Sequence, residues 1–293
     1  MSPARATRAR AMWSLFEPIH AVTYFSPVGR AAFEAAGLRG FWRGYFAGRA
    51  APLGPVPAAP VTAAFFSFAP HVVARALPAV WELVSPERAL EARVRGAVDA
   101  LTPLAAMLDP HDLAEAVELI EAAVDKLDTA GRVLGAANAA LPRPESLPRP
   151  ESLLGRLWQA STTLREHRGD GHVAALVIAG VDGCEALVLR AGHDLSREVL
   201  QPRGWSDEDW TAAAGRLANR GWLDADGRVT TAGINGYERI EADTDALAAV
   251  PWNALGAEPT ARLTVLLTPL AKACRAELPS PNPIGLPVAS GRD

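Results

Sequence analysis

Apolar residues recur at helical spacing along most of the chain, and proline and glycine separate the helical segments. Leu154, Leu157, Trp158 and Leu164 follow the i, i+3, i+4 pattern of one helix face. Ser85 stands directly before a proline, which is typical of a capped helix start. The pattern repeats on both sides of a proline-rich stretch near the middle of the chain. It predicts a mainly α fold.

A proline-rich tandem repeat divides the chain. Residues 141–146 read Leu-Pro-Arg-Pro-Glu-Ser, and residues 147–152 repeat them. Four prolines so close together cannot lie inside a helix, so the repeat is predicted to be a surface linker. The expected organisation is a helical domain over 1–140, the linker over 141–152, a helical region with a winged helix over 153–255, and a C-terminal helix with a proline-rich tail over 256–293.

The signals after residue 205 come in the order of a winged helix-turn-helix. Ser206, with Asp209 three residues later, is a capping-box start for a helix. Asp226-Gly227 between apolar residues predicts a tight turn, and residues 228–230 would complete a small β-hairpin wing. Residues 188–247 resemble the winged helix-turn-helix of MarR-type regulators. The resemblance implies an N-terminal helical domain followed by a winged helix-turn-helix domain.

The charge of this segment argues against DNA as its partner. Residues 183–245 hold seven Arg, no Lys and twelve Asp or Glu, within a chain whose formal net charge is −4. Asp207, Glu208 and Asp209 occupy the first turn of the helix that would enter the major groove. DNA affinity requires Lys and Arg to neutralise phosphates. We therefore expect the winged helix to be a scaffold for packing or for a ligand site.

Charged residues interrupt the apolar pattern between residues 163 and 176. They are Arg165, Glu166, His167, Arg168, Asp170 and His172. Polar groups in core-forming sequence destabilise a fold unless they are partnered or functional. Asp170 is predicted to cap a new helix at Gly171, so that His167 and His172 would reach one pocket as catalytic residues together with Asp170. The alternative is a structural helix corner, in which Asp170 is only a cap.

A second group of candidates lies in the N-terminal domain. Glu17 and His20 share a helix face, and Tyr24 is the phenol nearest to them in sequence. Arg43 and Arg49 lie in an aromatic segment that suits an anionic or planar ligand, or they are ordinary surface arginines. We expect Glu17 and His20 to meet the charged segment in a cleft between the domains. The predicted ligand-binding residues are Glu17, His20, Tyr24, Arg43, Arg49, Glu166 and Arg168.

These residues favour a small-molecule-binding protein, with or without catalysis, whose winged helix does not bind DNA. The first alternative is a metal- or haem-dependent protein in which His20, His167 and His172 are ligands. The second is a MarR-like DNA-binding regulator, and winged-helix proteins of that kind are often homodimers. The usual hydrolase, kinase and nicotinamide motifs do not occur in the sequence, so no reaction is predicted.

Four segments extend the resemblance over nearly the whole chain. They are 17–25 (EPIHAVTYF), 40–54 (GFWRGYFAGRAAPLG), 164–175 (LREHRGDGHVAA) and 281–286 (PNPIGL). They are similar to an actinobacterial family of helical proteins with a C-terminal MarR-like winged helix. The resemblance implies the fold and carries no activity. The sequence contains no run of 18 apolar residues and no signal-peptide core, so we expect a cytoplasmic protein without a membrane partner.

Overall fold

The computed structural model describes residues 3–143 and 151–281, and within these ranges helices supply almost all regular structure. The remaining residues include most of the proline-rich repeat and of the C-terminal tail, and those two predictions lie outside the described residues. The helices before the repeat are α1 (Pro3–Phe25), α2 (Pro27–Ala35), α3 (Phe41–Ala50), α4 (Ala58–Ala64), α5 (Pro70–Ala74), α6 (Val80–Leu83), α7 (Pro86–Ala105), α8 (Pro110–Val124) and α9 (Val133–Ala139). The prediction of a mainly α fold is confirmed.

The helices after the repeat build the centre of the molecule and the helix-turn-helix segment. They are α10 (Glu151–Ile178), α11 (Gly183–Ala191), α12 (Arg197–Leu200), α13 (Asp207–Asn219), α14 (Thr231–Leu247), α15 (Val250–Leu255) and α16 (Ala257–Ala276). A short 3-10 helix, Gln201–Arg203, follows α12 directly. Helix α16 packs along α1 and so joins the two ends of the described chain.

Helix α10 is the central helix, in contact with α1, α7, α8, α9 and α14. It continues through Gly169 and Gly171, so the predicted break before Gly171 is wrong. A glycine inside a helix costs about 1 kcal/mol relative to alanine. Burial of Leu164 on one side and of Leu176 on the other outweighs that cost. The charged segment therefore lies on one continuous helix, and the helical repeat sets the direction of each side chain.

Three large apolar clusters form most of the core, and a small fourth one joins Ala21 to Leu278. The first surrounds the N-terminal half of α10 and includes Trp158, and the second is built from α3 to α7 around Phe46. The third holds the helix-turn-helix segment together around Leu217. The charged segment of α10 begins where the first cluster ends and leads into the third. It therefore lies where all three clusters approach one another.

The segment that the sequence predicts as a helix-turn-helix contains α11, α12 and α13, followed by a turn and α14, and we keep the name helix-turn-helix segment for it. The predicted capping box at the start of α13 is confirmed, since Ser206 and Asp209 each accept from the other's backbone amide. The predicted β-hairpin is wrong for the described residues, where it is reduced to one isolated antiparallel bridge between Leu223 and Val229. The Asp224 carboxylate accepts from the amides of residues 226 and 228. These bonds form a compact turn in place of a strand ladder.

Among the described residues, no single helix is long and apolar enough to cross a membrane. Residues 152–178 of α10 and the whole of α11, which meet at an angle of 95°, satisfy the length and composition criteria only when taken together.

Candidate functional site

The helical repeat sorts the charged segment of α10 onto separate faces. Successive residues are turned by about 100° around a helix axis, so residues three or four apart share a face. His167, Asp170 and Gly171 are directed toward α9 and the loop before it. Arg165 and Gly169 lie on the opposite face and line a cavity. His172 lines the same cavity. Of the predicted catalytic residues, His167 and Asp170 therefore lie on one face of α10 and His172 on another.

The α9 face is a structural contact between two helices. The Asp170 carboxylate accepts from the Gly135 amide at 2.8 Å, so it caps the start of α9 and not a new helix of its own. Burial raises the pKa of Asp170 to about 6. His167 Nε2 donates to the carbonyl of Asp128 at 3.0 Å. A Cβ at position 171 would collide with the end of the Arg132 side chain and would displace the guanidinium from the carbonyls of His167 and Leu247.

On the other face, Glu166 is the centre of a buried ionic cluster. Its two carboxylate oxygens accept from Arg49 Nε at 2.9 Å and Nη2 at 2.8 Å, a bidentate pair. Arg165 Nη1 donates to the same carboxylate at 2.7 Å. Burial alone would raise the pKa of Glu166, but the guanidinium groups of Arg165 and Arg49 hold it far below its usual range. Glu166 is therefore ionised at neutral pH.

The ionic cluster extends to α1 through Glu17. Arg165 Nε lies 3.4 Å from one Glu17 oxygen, and Trp13 Nε1 donates to the other oxygen at 2.9 Å. Arg49 donates its remaining Nη1 to the Tyr45 hydroxyl at 2.9 Å. Alternating charges thus connect α1, α10 and α3, which are far apart in sequence.

His20 is a satisfied core histidine. Its Nδ1 is 2.9 Å from the Thr162 hydroxyl, and its Nε2 is 2.8 Å from the Tyr24 hydroxyl. The ring stacks on Trp158, and burial lowers the pKa of His20 well below its ordinary value. The imidazole is therefore neutral near pH 7. His20 and Glu17 share α1, as predicted from their spacing, but they bind different partners.

The three predicted metal ligands are not assembled in the structure. His20 is held by Thr162 and Tyr24, His167 by the Asp128 carbonyl, and His172 by Thr244, with 3.0 Å between Nδ1 and the hydroxyl. No group of three or more His, Cys, Asp or Glu side chains in residues 3–143 and 151–281 is arranged to hold a metal ion. Each imidazole is instead occupied by protein hydrogen bonds.

A cavity of about 560 Å³ lies between the N-terminal helices and the helix-turn-helix segment. We call it the aromatic cavity. Its aromatic wall consists of Tyr24, Phe25, Phe41, Trp42, Tyr45, Phe65, Phe66 and Phe68. The facing wall comes from α11, α12 with its 3-10 turn, and α14, through side chains such as Leu187, Leu200 and Ile240. The α10 face that bears Glu166 and Gly169 forms its floor.

Two arginines lie over rings of the aromatic wall. The guanidinium carbon of Arg49 is 3.9 Å from the centroid of Phe65, and that of Arg203 is 4.2 Å from the centroid of Phe68. Burial would raise the pKa of Tyr45, but the positive charges of Arg49 and Arg203 lower it. The hydroxyl of Tyr45 is therefore a strengthened hydrogen-bond donor at the edge of the cavity.

The aromatic cavity brings together some of the predicted residues and leaves others apart. Tyr24, Arg49, Glu166 and His172 line it. Glu17 and His172 line a neighbouring cleft together, but His20, His167 and Asp170 do not, so the expected meeting of all five residues holds only for that pair. Arg43 is exposed on α3. Of the predicted catalytic residues, His172 lines the cavity, and burial lowers its pKa.

Sequence reasoning missed several wall residues. Arg165 belonged to the charged segment but was not given a binding role, and Arg203 was not considered. Phe65, Phe66 and Phe68 form a second dense aromatic run in the sequence. That run, read together with the aromatic residues of α3, was the available signal for a ring-lined site.

Helix α14 is fastened to α1 and α10 by a separate ionic group. Arg10 donates to Asp245 and to Glu241, each at 2.7 Å. Arg168 Nη1 lies 2.7 Å from Asp245, and the Arg168 guanidinium lies over the Trp13 ring at 4.9 Å. The predicted ligand residue Arg168 therefore positions the helix that follows the helix-turn-helix.

The arginines of the helix-turn-helix segment are occupied within the chain. Their partners are Asp194 for Arg190, Asp207 for Arg197, Phe68 for Arg203, Asp182 and Glu185 for Arg216, the backbone carbonyls of Ala179 and Gly180 for Arg220, Asp226 for Arg228, and Asp243 for Arg239. Asp207, Glu208 and Asp209 are exposed on the first turn of α13. The surface that would face a DNA backbone is therefore acidic at that turn.

Comparison with known protein families assigns the chain to one of them. The profile of a helix-turn-helix family matches residues 9–280, and the chain belongs to this family. No curated protein and no solved structure matches the chain significantly.

Proposed function

We propose that this helix-turn-helix protein binds a small, planar and mainly apolar molecule in the aromatic cavity. The proposal rests on the size and the lining of this cavity. Its volume of about 560 Å³ falls within the range of roughly 300–1,000 Å³ usual for small-molecule sites. Its walls are mostly aromatic and aliphatic, with few polar groups, as such sites commonly are.

The polar groups of the cavity favour a ligand with an anionic or strongly accepting group. Four arginines line it, against the single carboxylate of Glu166. Arg49 and Arg165 share that carboxylate, and Tyr45 adds a hydroxyl polarised by neighbouring positive charges. Guanidinium groups beside aromatic rings suit a flat ring system that bears a carboxylate or a similar group.

The helix-turn-helix segment supplies one wall of the proposed site. Helix α11 contributes Leu187 and Leu189, and α14 contributes Tyr237 and Ile240. Because its arginines already have partners within the chain and its first turn at α13 is acidic, we propose that this segment serves the ligand site and does not bind a DNA backbone.

The test uses three ring compounds of matched size: 1-naphthoate, 1-naphthol and 1-naphthylmethylammonium. Isothermal titration calorimetry should give the tightest binding for the anion and the weakest for the cation. Ala186→Phe, which places a ring in the cavity from α11, should abolish binding. Ala212→Phe, the same change at an exposed position of α13, should leave it intact. Failure of all three compounds to bind, or equal binding by both variants, would refute the proposal.

A second candidate is a MarR-like regulator that binds DNA as a dimer. Family membership over residues 9–280 favours it. Fluorescence anisotropy of a labelled mixed-sequence duplex at low ionic strength tests it. A DNA-binding protein should show affinity that falls steeply with added salt. From the paired arginines and the acidic first turn of α13, we expect no such binding.

A further inference from the structure

A second cleft, of about 910 Å³, adjoins the aromatic cavity between α1, α10, α14 and α16. We call it the basic cleft. Six cationic side chains line it: Arg10, Arg165, Arg168, Arg190, Lys272 and Arg275. Three carboxylates line it as well, those of Glu17, Asp194 and Glu241. Asp245 and Glu166, just outside the cleft, also pair with Arg10, Arg168 and Arg165, so most of this positive charge is compensated within the chain.

The carboxylates of the basic cleft are already engaged. Glu241 pairs with Arg10 at 2.7 Å and Asp194 with Arg190 at 2.7 Å, while Glu17 lies 3.4 Å from Arg165. Lys272, in contrast, has no ion-pair or hydrogen-bond partner among the described residues. Its ammonium group is exposed at the cleft and is available to a ligand.

The basic cleft and the aromatic cavity adjoin each other. They share Arg165, Gly169, His172, Arg190 and Tyr237 as wall residues. Gly169 lies at the junction, and a Cβ built there would find its nearest neighbouring atom, Arg165 Nη1, 3.8 Å away. The absence of a side chain at this position therefore leaves space between the two compartments.

We infer that the basic cleft holds the phosphate or diphosphate group of the same ligand whose flat ring system occupies the aromatic cavity. This inference rests on the proposed function. Arginine and lysine are the usual partners of phosphate oxygens, which carry more charge than one carboxylate. Lys272 offers such a group a cation that has no partner among the described residues. The ligand class is an aromatic phosphate ester.

The first experiment uses inorganic pyrophosphate alone, titrated calorimetrically at low ionic strength. Wild-type protein should bind it, and Lys272→Gln should weaken binding by about fivefold, the upper effect of one exposed charge pair. Lys126→Gln changes the only other lysine of the chain, which lies outside the cleft, and should bind like wild type. No pyrophosphate binding, or equal loss in both variants, overturns the inference.

The second experiment tests whether the two compartments hold one ligand. 1-Naphthyl phosphate should bind at least tenfold tighter than either 1-naphthol or pyrophosphate, because the two parts are covalently linked. Gly169→Leu should remove this gain while pyrophosphate still binds, and Gly169→Ala should keep most of it. Naphthol binding without pyrophosphate binding leaves the proposed function standing and overturns only this inference. Pyrophosphate binding without naphthol binding overturns the aromatic site and with it the shared ligand.

Discussion

Replacing Glu166 with glutamine should destabilise the fold by about 3–5 kcal/mol, because it removes the countercharge of a buried arginine. Glu166 is 2% exposed and Arg49 is 7% exposed, so water cannot take the place of the lost charge. The carboxylate accepts three hydrogen bonds, two from Arg49 and one from Arg165. A glutamine amide would turn an NH₂ group toward at least one guanidinium donor.

The assay is urea unfolding followed by tryptophan fluorescence, with scanning calorimetry as a second measure. A loss of this size corresponds to a fall in Tm of roughly 6–20 °C for a chain of this length. The control is the double variant Arg49→Met with Glu166→Leu, which removes both charges. Replacing a buried pair by apolar residues is often neutral, so the double variant should be more stable than Glu166→Gln.

Two results would refute this reasoning. One is a cost below about 1 kcal/mol for Glu166→Gln at an unchanged urea m value, which would mean that the pair is solvated. The other is a double variant whose loss of stability equals the sum of the losses measured for Arg49→Met alone and Glu166→Leu alone. Additivity would mean that Arg49 and Glu166 do not interact energetically.

Three further predictions concern the rest of α10 and the helix-turn-helix. Since the native pKa of Asp170 is raised to about 6, ionisation of this carboxyl between about pH 4 and 6 disfavours the folded state. The Tm of Asp170→Asn relative to that of wild type should therefore rise from pH 4 to 7. A difference in Tm that stays constant over this range would contradict the prediction. Gly171→Ala should lower Tm because the added methyl group collides with Arg132. Gly169→Ala, where space is open, should be neutral or stabilising by up to about 1 kcal/mol. Equal changes in Tm for the two variants in calorimetry would contradict the crowded environment of Gly171 and the open one of Gly169. Ser206→Ala should cost about 1 kcal/mol in urea unfolding by loss of the capping box, and an unchanged midpoint would contradict that role.

The sequence was sufficient to predict what depends on neighbours along the chain. Apolar spacing predicted the helices, and Ser206 with Asp209 predicted a helix start. The prediction for α10 was wrong because an N-cap residue is expected to accept from the amides that directly follow it in sequence. In the structure, the Asp170 carboxylate accepts from the amide of Gly135 on another helix. A capping side chain can serve any helix end that tertiary structure brings close, and sequence spacing does not contain that information.

The candidate site was predictable only in part, for the same reason. The charged segment was recognised as unusual, but Arg49 and Glu166 are 117 positions apart and nothing in either segment indicates the other. His20 was predicted to bind a ligand or a metal ion. Its imidazole is instead hydrogen-bonded to Thr162, which is 142 positions away in the sequence. Residue type showed that partners were needed, and only the fold showed which ones.

Helix α11 belongs to two structures at once. One side of it lines the aromatic cavity through Leu187 and Leu189, while Glu185 near its N-terminus holds Arg216 of α13 at 2.9 Å. A ligand whose binding displaces α11 would therefore also displace its ion pair with α13. Such coupling is reciprocal, so a molecule that binds α13 and shifts this pair would change the affinity of the cavity for its ligand by the same factor by which the ligand changes binding at α13. Helix α11 therefore connects the aromatic cavity directly to α13.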